Sequence, residues 1–240
     1  MIEMNSKTLS NFRAHVKTEY PKEACGFVLE VQGSEEYYPA TNISEYPMES
    51  FVIDPKSYAE AEDLGVIKAI CHSHPNASSA PSEIDTSSCE ASNKVWHIIS
   101  WPEDKLSTLR PRGWVVPLVG RNFEYGVFDC CTLIRDYFKE KLNIEFECLG
   151  GKDTWWDRGE NRYLDNYEGQ GFRSLPIGSP VQEHDVFLMN IVSPVPNHAA
   201  VFTEGDIILH HLYGRLSGHG VYGGYWRKHT THHLRHVSLC

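Results

Sequence analysis

The sequence predicts an α+β (mixed α/β) fold in two units, and three observations support this prediction. Helical and extended patterns alternate along the first half of the chain, as in a sheet flanked by helices. Three prolines and scattered charges between residues 101 and 117 interrupt that pattern, which is typical of a linker. A chain of 240 residues is also long enough for two domains of about 100–150 residues each. We therefore expect domains at residues 1–110 and 111–240.

The elements of the first half are predicted from apolar spacing and from residues that favour helix ends. Apolar residues recur at helical spacing from Leu9 to Val16, which predicts a helix over residues 6–19. Asp54 is a suitable cap for a second helix, with Pro55 at its first position. A third helix is expected to begin after Ser82. The predicted strands of this half cover residues 25–31, 37–40, 51–53, 66–71 and 95–100.

A further helix is predicted in the second half, where an apolar stripe follows Asp129. With Asp129 as its cap, Cys130 lies in the first helical turn. The unpaired amides and the dipole of a helix start favour a thiolate, so this position should lower the pKa of the Cys130 thiol. Two strands are expected near residues 198–202 and 207–212, joined by a turn around Gly205.

Composition excludes several classes of protein. The formal net charge of -10 argues against a nucleic-acid partner, because phosphate binding needs a basic face. No run of 18 apolar residues is present, so no membrane span is expected. Seven cysteines form an odd, irregularly spaced set, which is typical of a chain that folds in reducing cytosol without a disulfide framework.

The strongest candidate site lies in the first half of the chain. There an H-x-H pair is followed, after seven residues, by S-x-x-D. His72 and His74 project from the same side of an extended segment, so both can reach one ion. Asp85 can supply a third ligand, which leaves the open position of a catalytic zinc site. Glu23 can act as a general base, and Ser82 can hydrogen-bond an oxyanion. The alternative is that two surface histidines flank a turn.

The order and spacing of these five residues resemble the JAMM (MPN+) metallopeptidase motif, a glutamate followed by H-S/T-H-P-x(6)-S-x-x-D. The pattern is matched without a substitution, and the resemblance covers about the first 105 residues. It implies a JAMM/MPN sheet flanked by helices and Zn²⁺ as the cofactor. It also implies roles for five residues, with His72, His74 and Asp85 as metal ligands, Glu23 as the base and Ser82 as oxyanion support.

The second half carries candidates for nucleophilic cysteine chemistry. A nucleophilic cysteine needs a base, and His198 offers one to Cys130. An odd number of residues in the following turn places His210 on the same sheet face as His198, whereas an even number selects His211. The alternative is structural: a cysteine at a helix start is often a small core residue, and a strand histidine is often a satisfied one.

Together these segments resemble the NlpC/P60 peptidase family. In its pattern an Asp-Cys-Ser-Gly-Leu-like segment opens a helix, a histidine follows on a strand, and a third polar residue lies on the next strand. The resemblance implies a papain-like domain with Cys130 as nucleophile, His198 as base and His210 as the residue that orients the base. The two residues after the cysteine depart from the usual Ser-Gly. Phe123 and Tyr125 are both candidates for the aromatic residue expected before the nucleophile.

The order of the two domains resembles the tail-tip proteins of lambda-like siphophages. This resemblance implies a virion tail-tip component that is assembled in the host cytoplasm and acts at the host cell wall. Its implied partners are other tail-tip proteins and the tape measure protein, and its implied substrate is the peptidoglycan stem peptide. Two alternatives stay open. The JAMM site could process a tail protein or a ubiquitin-like partner during assembly, or the protein could be mainly structural.

Overall fold

The computed structural model describes residues 4–148 and 154–240, and the chain divides into two compact units, Met1–Val116 and Pro117–Cys240. The first unit contains a five-stranded sheet and the second a six-stranded sheet, each with helices. This arrangement confirms the predicted α+β fold class. Among the helices of the described residues, none has the length and apolar character needed to cross a membrane.

The first unit is a sheet with helices on both faces. Its elements are α1 (Ser6–Glu19), β1 (Cys25–Val31), β2 (Ser34–Ala40), α2 (Pro55–Leu64), β3 (Val66–Pro75), α3 (Glu83–Ser92), β4 (Val95–Trp101) and β5 (Leu106–Leu109). Helix α1 packs through Phe12 and Val16 on one face, where Ala69 and Ile99 are buried. The other face receives α2 and α3. Strands β3 and β4 are parallel, the other neighbours are antiparallel, and the sheet order is β2-β1-β3-β4-β5.

Side-chain caps fix the starts of these three helices. The Asn5 side chain accepts from the backbone N–H of Thr8 at 2.8 Å, and Asp54 caps α2 as the sequence predicts. Ser82 caps α3, and its hydroxyl accepts from the Asp85 N–H at 3.0 Å. The predicted third helix start is therefore confirmed, and the cap holds Asp85 in the first turn.

Two predictions for this unit are wrong. Residues 51–53 form no strand, since only Ile53 makes an isolated bridge, to Asn42, and the Asn42 side chain binds the backbone on both sides of Phe51. The predicted linker contains β5, which pairs antiparallel with the preceding strand β4 and forms one edge of the sheet. Because β5 is short and half-exposed, it lacks an apolar pattern, and its pairing with β4 decides its conformation.

The second unit is an antiparallel sheet with a long helix packed on one face. Its elements are α4 (Cys130–Leu142), a 3-10 helix η1 (Trp155–Arg158), α5 (Arg162–Asn166), β6 (Phe172–Leu175), β7 (Val186–Met189), β8 (His198–Phe202), β9 (Ile207–His210), β10 (Gly218–Val221), α6 (Gly224–His229), β11 (Thr230–His236) and a 3-10 helix η2 (Val237–Leu239). Leu133 and Phe138 of α4 are buried against Val201, Leu209 and neighbouring apolar residues. The sheet order is β10-β9-β8-β7-β11-β6.

The turn between β8 and β9 resolves a register that the sequence left open. Ala200 pairs with His210, and the Thr203 N–H donates to the Ile207 carbonyl at 2.7 Å. Three residues lie between that last pair, so the loop is odd. Because side chains alternate along a strand, His198 and His210 share one face of the sheet.

Limited proteolysis should cut first near Val115 and Val119, and both fragments should keep cooperative thermal unfolding. These valines are 72% and 49% exposed, and residues 114–119 belong to neither helix nor strand. Mass spectrometry of the first fragments provides the measurement. First cuts inside β3 or β8, or fragments without a thermal transition, would contradict two independently folding domains.

Candidate active sites

Strand pairing brings Glu23 to the two histidines of the first unit. Strand β1 runs antiparallel to β3 with Cys25 opposite His72, so the start of β1 lies beside the end of β3. Glu23 comes two residues before β1, and the Ser73 N–H beyond His72 donates to the Ala24 carbonyl at 3.0 Å. The last residues of β3 and the approach to β1 therefore form one end of the sheet.

Three metal-ligand atoms converge at this end of the sheet. The Nε2 atoms of His72 and His74 are 3.0 Å apart, and they lie 3.1 and 3.4 Å from the two Asp85 carboxylate oxygens. Zinc–ligand bonds of about 2.0–2.2 Å in a tetrahedral site require donor atoms roughly 3.3 Å apart. The residues present therefore fit a tetrahedral metal ion held by three protein ligands.

The surroundings of the two imidazoles also suit metal ligation. The Nδ1 of His74 lies 2.7 Å from the Ser78 carbonyl. Because a carbonyl oxygen can only accept a hydrogen bond, Nδ1 carries the proton in the neutral ring, and the lone pair of Nε2 stays free for a metal ion. The ring of His72 stacks on Phe51 at 4.7 Å and meets Trp96 edge-on at 5.5 Å. Its Nδ1 is buried without a hydrogen-bond partner among the described residues, so this ring is oriented by packing and by the contact of its Nε2 with Asp85.

The Ser82 hydroxyl is engaged by Asp85. It donates to Asp85 Oδ2 at 2.7 Å, and the Ser82 N–H donates to the same oxygen at 2.7 Å. Burial alone would raise the pKa of Asp85, but hydrogen bonds from His72 and His74 hold that pKa well below its usual range. Ser82 thus orients the Asp85 carboxylate. Its predicted hydrogen bond to an oxyanion stays a prediction, and it requires the Ser82 hydroxyl to turn away from Asp85.

Glu23 is held in place by a loop that no sequence pattern indicated. The Glu23 N–H donates to the Pro47 carbonyl at 2.7 Å, and the Asn42 amide donates to the Glu23 carbonyl at 3.0 Å. The same amide donates to Ser50 O and accepts from the N–H groups of Ser44 and Val52 at 2.9–3.0 Å, so all four of its hydrogen bonds are made.

The carboxyl of Glu23 is itself buried. Burial raises its pKa to about 7, with His74 lowering that pKa and Asp85 raising it. The group therefore lies close enough to both ligands to interact with them electrostatically.

In the second unit, Cys130 occupies the predicted position at the start of α4. Asp129 caps the helix, accepting from the Thr132 N–H at 2.9 Å, while its own N–H donates to the Thr132 hydroxyl at 2.8 Å. The Sγ of Cys130 lies 3.3 Å from the Tyr163 hydroxyl. Tyr163 belongs to no motif, so only the fold identifies it as the neighbour of the thiol.

The predicted lowering of the thiol pKa is wrong. Burial, followed by the neighbouring Asp129 carboxylate, raises the pKa of Cys130 to about 12, although the Tyr163 hydroxyl acts in the opposite direction. The side chain is only 4% exposed. Loss of solvation therefore sets the direction of the pKa change, because a buried thiolate has few groups to replace its water.

The candidate base His198 is buried as well. Burial and the nearby His210 and His211 lower the pKa of His198 to about 3, so the imidazole is neutral at physiological pH. Its ring meets that of His210 edge-on at 5.5 Å and lies 5.7 Å from Trp226. Among the described residues, no hydrogen bond joins His198 to Cys130.

The thiol of Cys130 and the imidazole of His198 both line a cleft of about 320 Å³. His211 lines it as well, whereas His210, whose ring contacts that of His198, does not. His211 is fully buried and packs edge-on against Phe123 at 5.0 Å. Both candidates for the expected aromatic residue line the cleft, and they do so with four further aromatic side chains. The aromatic lining consists of Phe123, Tyr125, Trp155, Trp156, Tyr163 and Tyr213.

Comparisons with protein families divide the chain in the same way. The family model described as prokaryotic homologs of the JAB domain matches residues 5–112, and the NlpC/P60 family model matches residues 120–235. These matches confirm the two family resemblances inferred from the motifs.

Two curated relatives match most of the chain. The Tail tip assembly protein K of Escherichia phage N15 is 42% identical over 238 residues, which cover 98% of this chain and 97% of that protein. The protein of the same name from Escherichia phage lambda is 36% identical over 184 residues, covering 77% of this chain and 89% of that protein.

Two solved structures also resemble this chain, both at low sequence identity. A JAB1/MPN domain protein from Archaeoglobus fulgidus is 18% identical, with a TM-score of 0.31, over 46% of this chain and 89% of that chain. An NLP/P60 family protein from Staphylococcus aureus is 13% identical, with a TM-score of 0.37, over 96% of this chain and 62% of that chain.

Alkylation of Cys130 by iodoacetamide should rise with pH only above the range of an ordinary thiol, whose pKa is about 8.5. The physical reason is that burial keeps this thiol protonated at neutral pH. Peptide mapping by mass spectrometry at each pH gives the profile, with the exposed Cys240 as an accessible reference in the same sample. A labelling midpoint for Cys130 below pH 7 would instead demonstrate a stabilised thiolate.

Proposed function

Because this chain belongs to the family of Tail tip assembly protein K, we propose that it is a phage tail-tip component with two peptidase sites. Its JAB and NlpC/P60 domains both belong to families of peptidases. In this proposal the protein is assembled in the host cytoplasm with other tail-tip proteins and the tape measure protein, and it acts at the host cell wall. The proposal of wall cleavage rests on one observation, which is that Cys130 and His198 line the same cleft.

The proposed wall reaction is hydrolysis of an amide in a peptidoglycan stem peptide, between D-isoglutamate and diaminopimelate. The Sγ of Cys130 attacks the amide carbon, and His198 takes the thiol proton and passes it to the departing amine. Water then hydrolyses the thioester, which releases the new carboxylate and restores the thiol. Since thiol and imidazole are both neutral at rest, the proton moves as the carbon–sulfur bond forms.

Two neighbours support the roles of these groups. His210 meets the His198 ring edge-on and restricts its orientation, which is the role proposed for it. The Tyr163 hydroxyl, 3.3 Å from Sγ, can donate to the sulfur as negative charge develops there. Tyr163 thereby replaces part of the solvation that burial removes from the thiolate.

The first unit is proposed to be a zinc-dependent isopeptidase or peptidase centre. His72, His74 and Asp85 would hold Zn²⁺, which as a Lewis acid would polarise the scissile carbonyl. Glu23 holds or delivers a proton at its carboxylate, and its backbone is held in place by Asn42 and by Pro47. The three ligand residues each offer one atom, and these three atoms lie within 4.8 Å of one another, which supports this assignment.

A second candidate function gives the zinc site a role in assembly. Its ligand set is complete within the first unit and uses no group of the cysteine site. It could therefore process a tail protein or a ubiquitin-like partner before the virion leaves the cell, independently of wall cleavage.

Metal analysis of protein purified without chelator should find about one zinc per chain. His74→Ala should lose most of it, because two ligands hold zinc far more weakly than three. His15→Ala, which changes a histidine of α1 in the same unit, serves as the matched control. Glu23→Gln should keep the metal, and its loss in that variant would make Glu23 a ligand.

The full-length protein should release peptide fragments from purified sacculi, and chelator should leave this activity unchanged. Cys130→Ala should abolish release, and His198→Ala should lower the rate at least about a hundredfold, because proton transfer loses its carrier. Cys131→Ala is the matched control, since it removes the adjacent thiol. Chromatography of the soluble products gives the rate and identifies the cleaved bond.

Other outcomes would redirect the proposal. Chelator-sensitive release that survives Cys130→Ala would transfer wall cleavage to the zinc site. Absence of release by the wild-type chain, together with normal tail assembly by Cys130→Ala and His74→Ala phages, would favour a mainly structural role.

A further inference from the structure

Val192 has an unusual backbone conformation at the mouth of the Cys130 cleft. Its φ is +52°, in the left-handed region, and its side chain is 98% exposed while lining the cleft. Branching at Cβ makes this region especially unfavourable for valine. The other described non-glycine residues with positive φ are Gln32, Asn76, Asn93, Asp104, Asn143, His184 and Asp206, and none of them is β-branched.

Hydrogen bonds from one asparagine keep the loop closed at this position. Asn197 Oδ1 accepts from the Ile191 N–H at 2.8 Å, and Asn197 Nδ2 donates to the Ile191 carbonyl at 3.0 Å. The Asn197 N–H also donates to the Met189 carbonyl at 3.1 Å. Asn197 directly precedes His198, so the loop that presents Val192 is tied to the strand that carries the proposed base.

A valine at position 192 adds little to the stability of the fold. A side chain that is 98% exposed buries almost no apolar area, so it contributes nothing measurable through the hydrophobic effect. Glycine or asparagine would adopt the same φ with less strain. A strained backbone that displays an apolar group beside a reactive centre therefore points to contact with a ligand.

The surfaces next to Val192 indicate what kind of group would bind. Tyr213 is 70% exposed and stacks on Tyr125 with ring centroids 5.6 Å apart, so the cleft has an apolar outer wall. Among the described lining residues none is lysine or arginine, and Asp129 is the only carboxylate. An uncharged alkyl group suits this mouth better than an anion does.

We propose that Val192 is a specificity-determining residue, which seats an alkyl group of the stem peptide next to the scissile amide. This inference rests on the proposed function of the cysteine site. Val192 binds the substrate and takes no part in proton transfer, so its effect falls on substrate affinity. Its left-handed backbone lowers the stability of the free protein in exchange for this contact.

The test compares Val192→Asn and Val192→Gly with the wild-type chain on a soluble stem peptide. Both variants should raise Tm, because they relieve the backbone strain. KM should rise about fivefold or more with kcat nearly unchanged, because an apolar contact outside the reacting atoms is lost. Val221→Asn, which changes a 67% exposed valine in β10, should leave KM unchanged.

Isothermal titration calorimetry in a Cys130→Ala background separates this inference from the proposed function. There the uncleaved peptide should bind Val192→Asn about fivefold more weakly than the parent. Weaker binding without any turnover by wild-type protein would support the contact and reject the peptidase function. Turnover with unchanged KM in both Val192 variants, or unchanged binding in the calorimeter, would overturn the role of Val192.

Discussion

Strand register is the constraint on which both candidate sites depend. In the first unit, the pairing of Cys25 with His72 brings Glu23 to the end of β3, and the alternation of side chains puts both histidines on one face. In the second, the odd turn after β8 sets His210 beside His198. A slip of one residue would turn each histidine to the opposite face and separate it from its neighbours.

Helix caps also position residues of both candidate sites. In α3 the Ser82–Asp85 pair satisfies free backbone groups and at the same time fixes a carboxylate that faces two imidazoles. In α4 the Asp129–Thr132 pair does the same for the turn that holds Cys130. In each unit, therefore, the interactions that start a helix also orient a reactive group, so folding and preorganisation share the same hydrogen bonds.

Each proposed proton carrier is held by an asparagine that closes a loop. Asn42 binds the Glu23 carbonyl and three backbone groups of its own loop, and Asn197 binds Ile191 just before His198. A half-buried amide that both donates and accepts hydrogen bonds gives a loop a defined shape without adding charge. That matters here, since an added charge would disturb the neutral imidazole and the ligand carboxylate nearby.

The sequence by itself determined the two families, the candidate ligand set of the first unit and most helix starts. Those features depend on local spacing and capping, which are written in consecutive residues. Only the tertiary structure decided the strand β5, the partnership of Tyr163 with Cys130 and the alignment of His198 with His210. The contact of Tyr163 with Cys130 joins residues 33 positions apart, and the other two features depend on the register with which consecutive strands pair. The thiol pKa was likewise decided by the tertiary structure, because the burial that raises it comes from the packing around α4 and not from the helix start.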